Sequence, residues 1–314
     1  MDIYNKGTTM VLQSLRDRLM GMFVLSCLAL LAGCQSTPKT ANWAVPSEAS
    51  VRWINGYPMA YTDRGQGPTV VFVHGVLTDF RVWQKPLEPW LANYRVVAPS
   101  LRHFYPEPWN GKADDFNYAQ HAKDLAAFIE TLGGPVDLVG WSFGGMPAYM
   151  VARDRPELVR KLVLVEGGPD FRDQADGVPS NADPIKRAAV TEKFFEAGDI
   201  NGGLNYAVND ISGPGRWSSL TEAYRQNIRE NAWTVVGIGR EALWKASCPD
   251  FQKLKMPVLL MWGELTTPRL RGIVEAQSQC LPSASMVKIP KTGHGVAAGN
   301  PQAFHAEATS FLAR

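Results

Sequence analysis

Gly140-Trp141-Ser142-Phe143-Gly144 sets one serine between two glycines. A serine hydroxyl left to itself is a poor nucleophile, and this spacing has meaning only where the chain turns sharply from a strand into a helix. The flanking residues supply that context. Residues 136–139 (VDLV) read as a buried strand, and 146–153 read as a helix. Such a tight turn needs small residues on both sides of the serine, and it lifts the hydroxyl to the sheet edge at a helix N-terminus. Ser142 is therefore the expected nucleophile of an acyl transfer, and it needs a base. Five histidines exist. His294 lies in Lys291-Thr292-Gly293-His294-Gly295, after the last strand-like run, with glycines on both sides that let the backbone approach closely. It also follows the serine in chain order, so it is the expected general base. His74-Gly75 directly follows the run 69–73. The loop there should offer the Val76 N–H, which with the Phe143 N–H would form an oxyanion hole. His103 reads as a pocket or loop residue, and His121 and His305 read as structural.

These residues need a frame. Residues 51–54 and 57–61 flank Asn55-Gly56, a strong hairpin signal, with Pro58 expected to confine its strand to an edge. Residues 69–73, 94–98, 136–140, 162–165 and 257–262 are β-branched or apolar runs without polar alternation, and 285–289 is a last strand. Such runs are strands buried on both faces, typical of parallel sheets. Between them, residues 118–132 carry one apolar face at helical spacing. Alternation of this kind argues for a mostly parallel sheet with helices on both faces. Roughly 90 residues separate 165 from 257, too many for one crossover. Residues of about 169–250 read as a helical cap inserted there, with helical stretches at 185–197 and 220–236 broken by Gly202-Gly203 and Gly213-Pro214-Gly215.

On the elbow and this order of elements, the chain from about residue 50 onward resembles the α/β-hydrolase superfamily. The resemblance implies a triad acid after the strand ending at Trp262, yet the loop there reads Gly263-Glu264-Leu265-Thr266, with no Asp. Some members place a glutamate after the preceding strand, which here is Glu166. Glu166 is thus the favoured acid and Glu264 the alternative, with Asp170 a distant third. Haloalkane dehalogenases and epoxide hydrolases of this fold use an Asp nucleophile, so Ser142 points away from both. The expected activity is ester cleavage on a small-molecule substrate through an acyl-enzyme, with no metal or other cofactor. Lactone, amide, aminopeptidase-like or carbon–carbon bond hydrolysis would use the same residues. A non-catalytic envelope binding protein is the alternative class.

Composition is that of a globular protein, with 45% hydrophobic and 20% charged residues. A net charge of +2 gives no basic surplus for nucleic acid. Four cysteines include no CxxC pair, so the common zinc and redox spacings are absent. Cys248 and Cys280 flank the strand ending at Trp262 and form either a disulfide of an exported protein or two separate buried thiols. Residues 19–31 form a short apolar run after a polar segment carrying Lys6, Arg16 and Arg18, the order of a secretory signal peptide. The run ends at Leu31-Ala32-Gly33-Cys34, which resembles a bacterial lipobox. That resemblance implies cleavage before Cys34, acylation of Cys34 (palmitate among the chains) and membrane anchoring. Gln35 then favours the outer membrane, facing the periplasm, over inner-membrane retention. Met10 and Met20 offer alternative starts. The expected organisation is a signal peptide over 1–33, a lipidated tether over 34–48 and the catalytic domain over 49–314.

Overall fold

The structure is a computed structural model that describes residues 41–172, 182–240 and 246–314. Asn55 (φ 48°) and Gly56 (φ 79°) turn the chain between strands β1 (Ser50–Ile54) and β2 (Tyr57–Arg64). Positive φ at both central residues matches the twist of a two-residue hairpin. Six further strands follow: β3 (Thr69–Val73), β4 (Arg95–Pro99), β5 (Val136–Trp141), β6 (Val159–Val165), β7 (Val258–Gly263) and β8 (Ser285–Ile289). They form one sheet in the order β1-β2-β4-β3-β5-β6-β7-β8. Pairing is antiparallel through β1, β2 and β4 and parallel from β4 to β8.

The edge position expected for Pro58 is corrected here, because β2 pairs on both sides. Partnership with β4 begins only at Tyr61, so no ladder bond on that side is asked of Pro58. A proline lacks only the donor, and the stagger of the two strands makes the loss harmless.

The apolar runs follow from burial on both faces. Val71 and Val73 of β3 join one core with Leu125, Phe128 and Tyr149. Val70 and Phe72 join the other, with Trp83, Trp90 and Phe304. Burying a side chain such as Phe72 stabilises by about 1.5–3 kcal/mol. The helix Tyr118–Glu130 is started by Asn117, whose side chain accepts from the Gln120 N–H. Ala122, Leu125, Ala126, Phe128 and Ile129 of the face that the spacing predicts are buried, along with His121 and Asp124, while Leu132, also expected on that face, lies past the helix end and is half-buried.

Between β6 and β7 the described helices include Ala182–Glu196, Ile200–Ser212, Glu222–Glu230 and Thr234–Arg240. They share their own apolar cluster, including Phe195, Leu204, Val208 and Val235. Two expectations need correction. Gly202 and Gly203 lie inside a helix: Asp199 caps it by accepting from the Gly202 N–H, and a Cβ on Gly203 would sit 2.7 Å from the Phe195 ring. Gly203 serves close packing between helices, and Gly202 makes room for the capping carboxylate of Asp199. The stretch 220–236 is in turn two helices, interrupted at Asn231, whose side chain bonds to partners outside the helix.

A disulfide joins Cys248 and Cys280, with Cα atoms 5.0 Å apart and a sequence separation of 32. Closing such a loop contributes roughly 3–4 kcal/mol in the chain-entropy account. The Trp43 ring lies 5.7 Å from that of Tyr57, so packing of the domain begins ahead of residue 49. The expected signal peptide over 1–33 and the lipidation residue Cys34 lie outside the described residues.

Candidate active site

Parallel register brings the important strand ends together. Trp141, the last residue of β5, is the register partner of Val165, the last residue of β6. Ser142 and Glu166 are the next residue in each case. Both adopt left-handed backbone, φ 52° and 46° respectively. That conformation is uncommon away from glycine and persists where the surroundings enforce it. The surroundings here are backbone atoms. A Cβ on Gly144 would strike the His74 carbonyl oxygen, and one on Gly167 would strike the Ser142 backbone. Only glycine allows the strand ends to close this far.

The Ser142 Oγ lies 3.0 Å from Nε2 of His294. The other ring nitrogen, Nδ1, lies 2.5 Å from Oε2 of Glu166. Oε1 of Glu166 accepts the Gly263 N–H at 2.7 Å. Glu166 and His294 are both buried. The three side chains thus form one chain of hydrogen bonds from the sheet edge to a carboxylate. Glu264 stands elsewhere. Its side chain is 41% exposed, accepts the Lys291 N–H at 3.1 Å and pairs with Lys288 at 3.5 Å. Both ring nitrogens of His294 are engaged without it, and Glu264 closes the loop that carries the histidine. Asp170 is held by the guanidinium of Arg172, at 2.8 Å.

Two contacts at the site carry no sequence signal beyond residue type. The Trp141 indole N–H donates to the His294 carbonyl at 2.9 Å, tying the histidine loop to the elbow. The cap is fixed to the loop after β3. Thr234 Oγ1 accepts the Leu77 N–H at 3.1 Å, and buried Asp79 accepts from Asn231 at 2.7 Å.

That loop is organised by His74. Its Nε2 accepts the Leu101 N–H at 3.0 Å, so Nδ1, 2.9 Å from the Gly75 carbonyl, is the donor. Burial lowers the His74 pKa to about 4, keeping this neutral tautomer. Gly75 packs against Ser142, since a Cβ there would lie 3.2 Å from Ser142 Cβ. Val76 follows it and lines both cavities that open at Ser142. Among the described residues the Val76 N–H has no hydrogen-bond partner. His103 contacts neither cavity. It pairs with Glu107 and Asp115, at 3.0 and 2.7 Å. His121 is buried among aromatic rings, and His305 packs edge-on to Trp90.

The cavity beyond Ser142 is about 140 Å³ and includes Val76, Phe143, Met146 and cap residues such as Ile211. A second, about 60 Å³, lies on the His294 side. No cluster of three or more His, Cys, Asp or Glu suited to a metal occurs among the described residues.

Residues 70–307 match the alpha/beta hydrolase family. The chain belongs to that family. It is 25% identical over 245 residues to a pimeloyl-acyl-carrier-protein methyl ester esterase of Nitrosomonas europaea, spanning 76% of this chain and 94% of that one. Over 238 residues it is 26% identical to a soluble epoxide hydrolase of a Corynebacterium species, spanning 67% and 78% of the two chains. Among solved structures, the esterase RhEst1 of a Rhodococcus species matches with a TM-score of 0.67 at 22% identity, covering 85% of this chain and 98% of that one. As a member of the alpha/beta hydrolase family, the chain carries serine at the elbow, with its glutamate after β6.

Proposed function

We propose that this protein hydrolyses carboxylic esters through an acyl-enzyme on Ser142. The observation that carries the reading is the hydrogen-bonded line Ser142–His294–Glu166 at the mouth of a cavity. His294 Nε2 takes the hydroxyl proton as Oγ attacks the ester carbonyl. Glu166 accepts from Nδ1–H, which fixes the tautomer and stabilises the imidazolium that forms. The carbonyl oxygen gains charge beside the Phe143 and Val76 N–H groups, where one lost donor would cost about 2.7–4 kcal/mol. His294 then returns the proton to the leaving alcohol. Water, deprotonated by the same histidine, releases the acid and restores Ser142.

A fluorophosphonate probe tests the nucleophile directly. The folded full-length protein is expected to acquire one adduct, mapped to Ser142 by peptide mass spectrometry, and Ser142→Ala none. An unlabelled but folded wild type would sink the reading and leave the envelope binding protein.

The reading extends to location on sequence grounds alone: a lipid anchor at Cys34, in the outer membrane of a bacterial envelope and facing the periplasm. Each buried CH₂ contributes about 0.8 kcal/mol, so stable anchoring takes more than one chain. Cys34→Ala is expected to move the protein from the membrane pellet to the soluble fraction. Unchanged fractionation would end the anchor proposal without touching the catalytic one.

A further inference from the structure

Arg187 stands in the cap helix Ala182–Glu196 and lines the cavity of about 140 Å³ that Ser142 opens into. It is 3% exposed. A guanidinium has five N–H donors in a planar fork. Among the described residues one hydrogen-bonded contact is made: Nη1 to Asp210 at 2.9 Å. Nε is fully buried and has no hydrogen-bond partner among the described residues. The Nε–Nη2 edge, which takes a carboxylate by two parallel bonds, is therefore unspent. A buried ion pair is tolerable only when its remaining protons are also satisfied, and Asp210 alone leaves this one short.

The other charges in the cavity are already committed. Glu166 serves His294 and the Gly263 N–H, and Asp170 is held by Arg172. Arg269 lines the same space and has a partner of its own. Between Ser142 and Arg187 the wall includes Met146, Ile211, Ile238, Leu270 and Ile273. An apolar stretch ending in a buried cation matches an aliphatic chain with a terminal anion. The side of the substrate is also fixed. His294 must protonate the leaving alcohol, and it lines the other cavity, so the alcohol leaves there and the acyl chain lies here.

We infer that the acyl cavity is built for a chain ending in a carboxylate seated on the Nε–Nη2 edge of Arg187, making the substrates monoesters of short dicarboxylic acids. A cavity near 150 Å³ holds a benzene-sized group, which suits acids of about four to six carbons. The inference rests on the esterase reading and narrows its substrate class.

The test compares mono-4-nitrophenyl adipate with 4-nitrophenyl heptanoate, a neutral ester of similar length, on the full-length protein in detergent. Wild type should favour the adipate ester in kcat/KM. In Arg187→Met the adipate-to-heptanoate ratio should fall on the order of 10–100-fold, the scale of one charged hydrogen-bonded contact. Arg187→Lys should retain part of the preference. The ratio is internal to each preparation, so a partly unfolded variant does not mimic the effect. Wild type with no preference for the adipate ester overturns the proposal even if neither variant folds, and so does a ratio unchanged by Arg187→Met. If wild type cleaves neither ester and Ser142 takes no fluorophosphonate, the esterase reading has failed first.

Discussion

Glu166→Gln is expected to lower kcat on 4-nitrophenyl esters by about 10⁴-fold, the scale seen when a triad carboxylate becomes an amide, while Glu264→Gln stays within about 3-fold. The reason is donor counting. Glu166 receives two donors, the Gly263 N–H on Oε1 and His294 Nδ1 on Oε2. A glutamine has one acceptor oxygen and one NH₂ group. If the oxygen keeps the Gly263 N–H, the NH₂ faces His294 and forces the proton onto Nε2, the atom that must accept from Ser142. If the oxygen turns to His294, the buried Gly263 N–H loses its partner, costing about 1–3 kcal/mol. Either way the base or its support is lost. Glu264 instead accepts the Lys291 N–H and pairs with Lys288, on β8 and the turn that follows it. Steady-state rates with melting temperatures for both variants decide the matter. A collapse in Glu264→Gln with Glu166→Gln intact would falsify the assignment of the acid.

Stability is expected to fall steeply with acid, by about 2 kcal/mol per pH unit between roughly pH 6 and pH 4.5, from two histidines. Burial lowers His74 to about 4 and His121 to about 3, against 6.5 for the free side chain. Near pH 7 both are neutral whether folded or unfolded and contribute no slope. Below 6.5 the unfolded chain binds a proton at each site and the folded chain refuses it, so acid favours unfolding until the folded values are reached. The loss accumulated between pH 6 and pH 4.5, on the order of 3 kcal/mol, is a large share of the whole stability of many domains. His103 acts in another window. Burial works against its charge, but hydrogen bonds to Glu107 and Asp115 prevail and raise it above 6.5. Its contribution is complete below 6.5 and is lost as pH rises through that raised value. Urea midpoints at pH 7.5, 5.5 and 4.5 test the acid limb. Among the described residues the His121 ring nitrogens have no hydrogen-bond partner, and the ring sits edge-on to Phe116 and Phe143. His121→Phe should therefore remove about half of the slope. A variant as acid-sensitive as wild type would show that His121 is not one of the two groups.

How much of this was legible in sequence differed by element. Strands are local: each is a run of apolar, β-branched residues, so β3 and β8 could be placed to the residue and the others to within a few. The elbow was legible for the same reason, since a strand, five residues and a helix stand side by side in the chain. His294 was legible from its glycines and its place after the last strand. The cap was not, because its helices end where distant partners act. Asn231 breaks a helical stretch to reach Asp79, 152 residues away, and Gly203, which looks like a breaker, packs against Phe195.

Sequence by itself determined which residue types were available: one serine in an elbow, one glycine-flanked histidine, and two glutamates after adjacent strands. The tertiary structure set the two glutamates apart, because the parallel register of β5 and β6 brings Glu166 beside Ser142 while Glu264 stands at the surface. It alone joined Cys248 to Cys280, since spacing says nothing of whether two Cα atoms come within 5.0 Å. It alone showed Arg187, one of many arginines in the chain, with its fork buried against the nucleophile's cavity. Covalent order fixes what each segment can become. Which side chains meet depends on how the sheet stacks those segments, a property of many weak contacts acting together and of no single stretch.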